Sequence, residues 1–143
     1  MPTLRICIIA LGLLITAQNL AAQAADTDPL LGAALAERGE EDKRRDAYRH
    51  PAETLIFFRV KPGMTVAEGL PGGGWYTRIL ANYLGAKGRL YGVTYADRMW
   101  SMFDFATPEW IEKRLTTAEQ FPEQVASYTH NGITARGFTF EQV

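Results

Sequence analysis

Apolar residues along this chain follow several different spacings. Residues 6–17 form an uncharged, mostly apolar stretch, the runs 64–67 and 89–94 are typical of strands, and residues 133–140 are a candidate third strand. Between the first two strand-like runs, apolar residues recur at the spacing of a single helix face. The members of this face are Trp75, Ile79, Leu80, Tyr83 and Leu84.

A strand, a glycine-rich bend, a helix and a second strand follow one another from residue 64 to residue 94. The bend comprises residues 71–74, and Gly85 and Gly88 end the helix. This order is typical of a βαβ unit, in which the two strands are joined by a helical crossover. We therefore expect an α/β fold in which these two strands are parallel.

The pattern on either side of this unit predicts further short helices. Residues 30–36 begin an apolar helix, and residues 37–46 form a charge block of both signs that is typical of a solvated helix or linker. Pro51 marks a second helix start, and Pro108 opens a helix that extends to Leu115. In the helix that starts at Pro51, the residues expected to be buried are Leu55, Ile56 and Phe58.

The first 24 residues have the order of features found in a secretory signal peptide. Arg5 supplies a positive charge, the apolar stretch 6–17 follows, and Ala22 and Ala24 are the small residues that signal peptidase requires. The apolar stretch is shorter than the roughly 20 residues that a bilayer span needs, although a retained anchor helix is the alternative. We expect an exported protein, periplasmic or secreted, with no membrane span after cleavage. Cys7 would be lost with the leader.

Composition and charge narrow the function further. The 143 residues are 47% hydrophobic, which suits one globular domain. With 15 basic and 16 acidic side chains, the net charge of −1 gives no reason to expect a nucleic-acid partner. One Cys and two His are too few for a zinc cage of the usual type, so no metal site is predicted.

The glycine-rich bend carries the candidate chemistry. Because glycine has no Cβ, the backbone of Gly72, Gly73 and Gly74 can approach a ligand closely, and the following helix start suits a nucleotide or carboxylate. A dinucleotide loop would have a third glycine where Thr77 stands and an acid where Thr94 ends the second strand. The nicotinamide interpretation is therefore weak.

Three segments together resemble one known family. His-Pro-Ala-Glu at 50–53, Lys-Pro-Gly-Met-Thr-Val at 61–66 and Pro-Gly-Gly-Gly-Trp-Tyr-Thr at 71–77 look like a family of bacterial methyltransferase-like proteins, often exported. An acid followed by spaced glycines also resembles motif I of class I S-adenosylmethionine-dependent methyltransferases. The resemblance covers residues 49–95, about a third of the chain.

This resemblance implies a Rossmann-like methyltransferase fold that binds S-adenosylmethionine across the carboxyl ends of its strands. The chain supplies only part of it, the N-terminal βαβ half of a mostly parallel sheet with flanking helices. The implied organisation is a signal peptide at 1–24, a helical region at 25–60 and an incomplete cofactor-binding domain at 61–143. Elements that usually bind the methyl acceptor are missing, so the small-molecule acceptor is unknown.

The same resemblance assigns roles to single residues. Glu68 would orient the methionine end of the cofactor, the glycines would pass beneath it, and Thr94 would meet the ribose. Leu70 takes the place of the first glycine of the general motif. No catalytic base is assigned, because methyl transfer between well-positioned groups needs little acid–base help. The predicted cofactor-binding residues are Glu68, Pro71, Gly72, Gly73, Gly74 and Thr94.

Other residues keep two interpretations. Trp75 and Tyr76 either flank the loop or belong to the core, and Tyr91 and Tyr95 either stack on an adenine or pack within the fold. His50 and His130 are expected at the surface.

Two functions stay open as well. One is a methyltransferase-like protein that binds its cofactor at residues 68–76. The alternative is a non-catalytic periplasmic binding or interaction protein built on the same half-fold, with copies associating through an exposed sheet edge.

Overall fold

The computed structural model of the protein describes residues 28–115 and 117–143. The predicted signal peptide, residues 1–24, lies outside these ranges. The elements in chain order are α1 (Pro29–Ala36), α2 (Glu40–Lys43), α3 (Asp46–Arg49), α4 (Pro51–Phe57), β1 (Thr65–Gly69), α5 (Trp75–Leu84), β2 (Arg89–Thr94), a 3₁₀ helix (Asp97–Met102), α6 (Pro108–Glu112), α7 (Thr117–Ala126) and β3 (Thr134–Thr139).

The three strands form an open sheet in the order β1-β2-β3, and both neighbouring pairs are parallel. Val66 lies opposite Leu90, which in turn lies opposite Ala135. The predicted parallel pair and the predicted third strand are confirmed, with small shifts in their bounds. The described chain is thus an α/β protein with an all-parallel open sheet and flanking helices.

Helices α5 and α7 lie on the same face of the sheet, which we call the covered face. α5 packs against β2 and α7, and α7 packs against β2 and β3. A Cβ at Gly92 would come within 2.5 Å of the Phe121 ring, and one at Gly137 would come within 1.6 Å of the Ala118 carbonyl oxygen. Right-handed crossovers between parallel strands put successive helices on one side of a sheet. Glycine at these two positions lets α7 approach the strands.

Helix α7 is an element that the hydrophobic pattern did not predict. Ala118, Phe121 and Val125 are buried and spaced as one helix face, but Pro122 stands in the middle of it. Proline has no N–H to donate to the carbonyl four residues earlier, which here is that of Ala118. The same carbonyl is the group that lies against Gly137. The contact with the sheet therefore accommodates a helix that its own sequence weakens.

The core lies between the sheet and the helices α1, α5 and α7. The predicted apolar face of α5 is confirmed, since all five of its residues are buried. Leu31 and Ala34 of α1 belong to the same hydrophobic cluster, as does Leu90 of β2. The helical segment before the sheet and the sheet region thus share one core.

Two burial expectations for α4 are wrong. Ile56 and Phe58 are 43% and 69% exposed, whereas Leu55 is buried as expected. α4 buries Pro51 and Leu55, four positions apart, so a single side of this short helix contacts the core.

The charge block includes the short helix α2 and is mostly exposed, as expected for a solvated helix or linker. The exception is Arg38, which is 5% exposed and donates two hydrogen bonds to Asp46. The helix that begins at Pro108 also ends earlier than predicted, at Glu112 instead of Leu115.

The opposite side of the sheet, which we call the open face, carries the alternate residues of each strand. Ala67 and Gly69 are exposed, Tyr91 and Phe138 are half-buried, and the two rings meet edge to face at 5.3 Å between centroids. Parallel sheets are usually covered on both faces.

Among the described helices, none is long and apolar enough to cross a membrane.

Candidate functional site

The loop between β1 and α5 has left-handed backbone at three positions. Leu70, Gly72 and Gly74 have φ of 54°, 53° and 77°. Glycine adopts this region without penalty, whereas an L-residue with a Cβ is strained there by about 1 kcal/mol. Leu70 therefore adopts a backbone conformation that glycine adopts more readily.

Side chains of the α7 region hold this loop from one side. Gln124 donates from Nε2 to the carbonyl oxygen of Gly72 at 3.2 Å. A Cβ at Gly74 would meet the Tyr128 hydroxyl at 2.5 Å, so both its φ and its surroundings require glycine. Gly73 differs, because its φ is not left-handed and an added Cβ would meet nothing within 4 Å.

Glu68 lies near the end of β1 on the covered face. Its Oε2 accepts a hydrogen bond from the Thr77 hydroxyl at 2.7 Å, and the Thr77 backbone N–H also contributes. Burial raises the pKa of Glu68 from 4.5 to about 7, and the hydrogen bonds from Thr77 offset part of that effect. Glu68 is therefore a half-buried carboxyl group beside the first turn of α5, not a strand-end acid in water.

A cavity of about 470 Å³ opens beside Glu68 and the loop; we call it the polar cavity. Three of its lining side chains are arginines, Arg45, Arg49 and Arg78. The predicted site residues that line it are Glu68, Pro71, Gly72 and Gly73. The structure thus brings four of the six predicted residues to one cavity.

The first turn of α5 holds the preceding helical segment against this cavity. Trp75 is buried and donates from Nε1 to the carbonyl oxygen of Asp42 at 3.0 Å. The hydroxyl of Tyr76 donates to the carbonyl oxygen of Arg49 at 3.2 Å. The guanidinium of Arg78 donates to both carboxylate oxygens of Asp42, which lowers the pKa of Asp42. Trp75 is therefore a core residue that also lines the cavity.

A second cavity, of about 250 Å³, lies on the other side of the loop, and we call it the aromatic cavity. Gly72 and Leu70 line both cavities, and Thr94, at the end of β2, lines the aromatic one. Its remaining walls are largely rings, contributed by Tyr95, Trp100, Phe103, Phe105 and Trp110. Arg114 also lines it and lies 4.0 Å from the centroid of the Trp110 ring.

Trp100 in this cavity has a donor without an acceptor. The residue is 6% exposed, and its Nε1 has no hydrogen-bond partner in the part of the chain that the structure describes. A buried N–H that lacks a partner costs about 1–3 kcal/mol. A ligand with an acceptor atom in the aromatic cavity would remove that cost.

The other residues singled out by sequence fall in different places. Gly74 lines neither cavity and instead begins α5. His50 and His130 are exposed, and His50 lies 3.6 Å from Glu53. Tyr95 joins the aromatic cavity, whereas Tyr91 lies on the open face.

Sequence reasoning missed Arg45, Arg49, Trp100 and Trp110. Arg45 lies in the charge block and Arg49 lies three residues after it, and nothing in the composition of this stretch separates a residue that lines a cavity from one that does not. The aromatic residues follow β2 without helical or strand spacing, so only their position after the strand end pointed to the site.

No group of three or more His, Cys, Asp or Glu side chains able to hold a metal ion occurs within residues 28–115 and 117–143. Comparisons of the chain with protein-family models, with curated proteins and with solved structures find no match. The two cavities and the loop between them are therefore the basis for a functional proposal.

Proposed function

We propose that this chain is an exported, methyltransferase-like protein that binds S-adenosylmethionine across the loop at residues 70–74. The observation that carries the proposal is the pair of unlike cavities that share Leu70 and Gly72. One cavity has four charged side chains among its lining residues, and the other has five aromatic rings and one charged side chain. S-adenosylmethionine has the same division, a charged amino-acid end and an aromatic adenine joined by a ribose.

The residues present fit such a ligand at both ends. Glu68 borders the polar cavity, where a carboxylate would bind the ammonium group and a neutral carboxyl group would bind it less well. At the other end, the orphan Nε1 of Trp100 would donate to a ring nitrogen or ribose oxygen, and Thr94 supplies a hydroxyl. When bound, the cofactor supplies an electrophilic methyl group, and this chain's residues bind and orient it.

The position of the loop agrees with the proposal. Ligands of open parallel sheets bind outside the carboxyl ends of the strands. The loop follows the carboxyl end of β1, and Thr94 lies at the carboxyl end of β2. The cavities therefore lie where an α/β protein with this sheet would bind a nucleotide-like ligand.

A thermal melt with and without S-adenosylhomocysteine tests the proposal. At a hundredfold excess over its dissociation constant, the ligand should add roughly 2.7 kcal/mol to the free energy of unfolding, which is a shift of several degrees. A side chain at Gly73 fits the fold and would intrude on the polar cavity that Gly73 lines. Gly73→Val should therefore melt cooperatively and show no shift.

Gly39→Val is the matched control, because a Cβ there also meets nothing within 4 Å and Gly39 lines neither cavity. It should keep the wild-type shift. A wild-type melt that the ligand does not move would overturn the proposal. A Gly73→Val protein that binds as well as the wild type would show that the loop is not the binding site.

A second candidate is a non-catalytic binding or interaction protein, and the open face favours it. Tyr91 and Phe138 present rings there, next to exposed Ala67 and Gly69. β1 and β3 are also unpaired edges of the described sheet, and such edges favour association with another chain. Sedimentation of the purified protein measures whether copies of the chain associate. A strictly monomeric chain at high concentration would contradict such association.

A further inference from the structure

Two of the arginines around the polar cavity region already have a carboxylate partner. Arg38 donates to both carboxylate oxygens of Asp46, at 3.0 and 2.6 Å. Arg78 donates to those of Asp42, at 2.6 and 2.9 Å. Because each guanidinium is matched by one carboxylate, these pairs leave no local excess of charge.

Arg45 and Arg49 line the polar cavity without such a partner. In the described ranges, neither has a carboxylate oxygen within 4.0 Å. Their guanidinium carbons lie 5.9 and 5.0 Å from the centroid of the Trp75 ring. The nearby Asp42 is bound to Arg78, and Arg45 is the last of the causes that lower its pKa. Within the described ranges, these two exposed guanidinium groups are therefore not paired with a carboxylate, and the acidic group that shares their cavity is Glu68.

The backbone that carries these arginines is held in place. The Asp42 carbonyl accepts from the Trp75 indole and the Arg49 carbonyl accepts from the Tyr76 hydroxyl, so both ends of residues 42–49 are bonded to the first turn of α5. The Trp75 ring lies beside both guanidinium groups and favours them through cation–π attraction. A site held in this way loses less entropy when it binds a ligand.

We propose that Arg45 and Arg49 form a binding site for a carboxylate or phosphate group of the ligand in the polar cavity. Guanidinium groups match the geometry of such oxyanions with two parallel hydrogen bonds. If the group is the carboxylate at the amino-acid end of S-adenosylmethionine, the inference rests on the proposed function. If it belongs to the methyl acceptor or to another ligand, the site stands without that function.

Calorimetric titration with three probes tests the site at low ionic strength, where screening is weak. Inorganic phosphate reports the anion site alone. S-adenosylhomocysteine carries the amino-acid carboxylate, and methylthioadenosine is the same thionucleoside with a methyl group in place of the amino-acid chain, so it lacks both the carboxylate and the ammonium group. The proteins compared are the wild type, the double variant Arg45→Gln/Arg49→Gln and the control Arg44→Gln. Arg44 belongs to the same segment but is 72% exposed, pairs with Glu41 and lines neither cavity.

The double variant should bind phosphate and S-adenosylhomocysteine about tenfold to a hundredfold more weakly, because each lost charged hydrogen bond costs on that order. Its affinity for methylthioadenosine and all affinities of Arg44→Gln should stay at the wild-type level. Arg45→Lys/Arg49→Lys keeps the charges and removes the paired donors, so intermediate affinity is expected. If the glutamine variant does not melt cooperatively, the lysine variant replaces it in the comparison with the wild type.

The outcomes separate the inference from the proposed function. If phosphate binding depends on the arginines and the protein binds neither nucleoside, the anion site stands and the cofactor proposal fails. If only phosphate responds to the double variant while S-adenosylhomocysteine binds unchanged, the anion comes from another ligand. Unchanged binding of both anionic probes by the double variant overturns the inference, as does a wild type that binds neither.

Discussion

The two faces of the sheet are built from neighbouring residues of the same strands but differ in how closely helices pack against them. On the covered face, Glu68, Gly92 and Gly137 lie side by side in register, and α5 and α7 lie against them. On the open face, Gly69, Val93 and Phe138 form the adjacent row. Alternation along a strand sends each residue to the face opposite its neighbour. The strands therefore combine a surface that α5 and α7 pack against closely with one where Gly69 is exposed, Phe138 is half-buried and Val93 is 5% exposed.

The covered face shows that small residues decide how closely a helix approaches a sheet. At Gly137 the neighbouring group is backbone, which cannot move aside, and at Gly92 it is the Phe121 ring. Gly69, one position away from Glu68, meets only the Phe140 ring at 4.0 Å. Tolerance to an added methyl group should therefore depend on the face and not on the residue type.

The largest expected effect is that of Gly137→Ala. Its Cβ would lie 1.6 Å from the Ala118 carbonyl oxygen, so α7 must move away from β3. We expect a loss of more than about 3 kcal/mol in the free energy of unfolding, measured by denaturant titration. Gly69→Ala is the matched control on the open face and should change stability by about 0.5 kcal/mol or less. Equal losses in the two variants would refute the contrast between the faces.

The next largest effect is the pH dependence that Glu68 introduces on the covered face. Burial raises its folded-state pKa to about 7 from 4.5. Its contribution is fully present below pH 4.5 and is lost as the pH rises through 7, because the fold disfavours the ionised form. Between those limits the wild type should lose about 3 kcal/mol relative to Glu68→Gln, whose side chain does not titrate.

Denaturant titrations of both proteins from pH 4 to pH 8 measure this difference. Glu123→Gln, at an exposed position of α7, is the control and should follow the wild-type profile. Parallel profiles for the wild type and Glu68→Gln would show that the Glu68 carboxyl group is not destabilised by burial.

The smallest effect is expected on the open face. Phe138→Thr keeps a residue that favours strands and removes the ring contact with Tyr91, which is worth about 1 kcal/mol. Its main consequence should be weaker association, because the variant removes apolar area from the face that the described helices leave uncovered. Sedimentation at several concentrations measures this. A wild type that associates and a variant that associates equally would place the contact elsewhere.

Much of the sheet region follows from local patterns. The α5 face, the parallel pair and the third strand were predicted, because each has apolar residues at a regular spacing and a glycine-rich boundary. Helix α7 was not, since Pro122 interrupts its pattern and its stability comes from packing on β2 and β3. Ile56 and Phe58 were predicted to lie in the core because, in a short helix with several apolar residues, the sequence does not indicate which of them face inward.

The candidate site divides in the same way. The loop itself was predicted from its glycines, and the structure places Glu68, Pro71, Gly72 and Gly73 together at one cavity, with Thr94 across the loop. The bound role of these residues stays a prediction. Arg45 and Arg49 could not be found from sequence, because their place at the cavity depends on contacts between residues 42–49 and α5, about 30 positions further along the chain.

The sequence by itself determined the order of the three strands, the helix between the first two, the parallel pairing of those two strands and the glycine bend, since these depend on spacing and on backbone freedom within a few residues. The tertiary structure alone decided that Leu70 adopts a left-handed conformation, that Glu68 is half-buried beside Thr77 and that Arg45 and Arg49 line a cavity at the loop without a carboxylate partner among the described residues. Those features arise where separate segments of the chain meet. The local sequence pattern of a segment predicts neither which distant segment it contacts nor the energy of that contact.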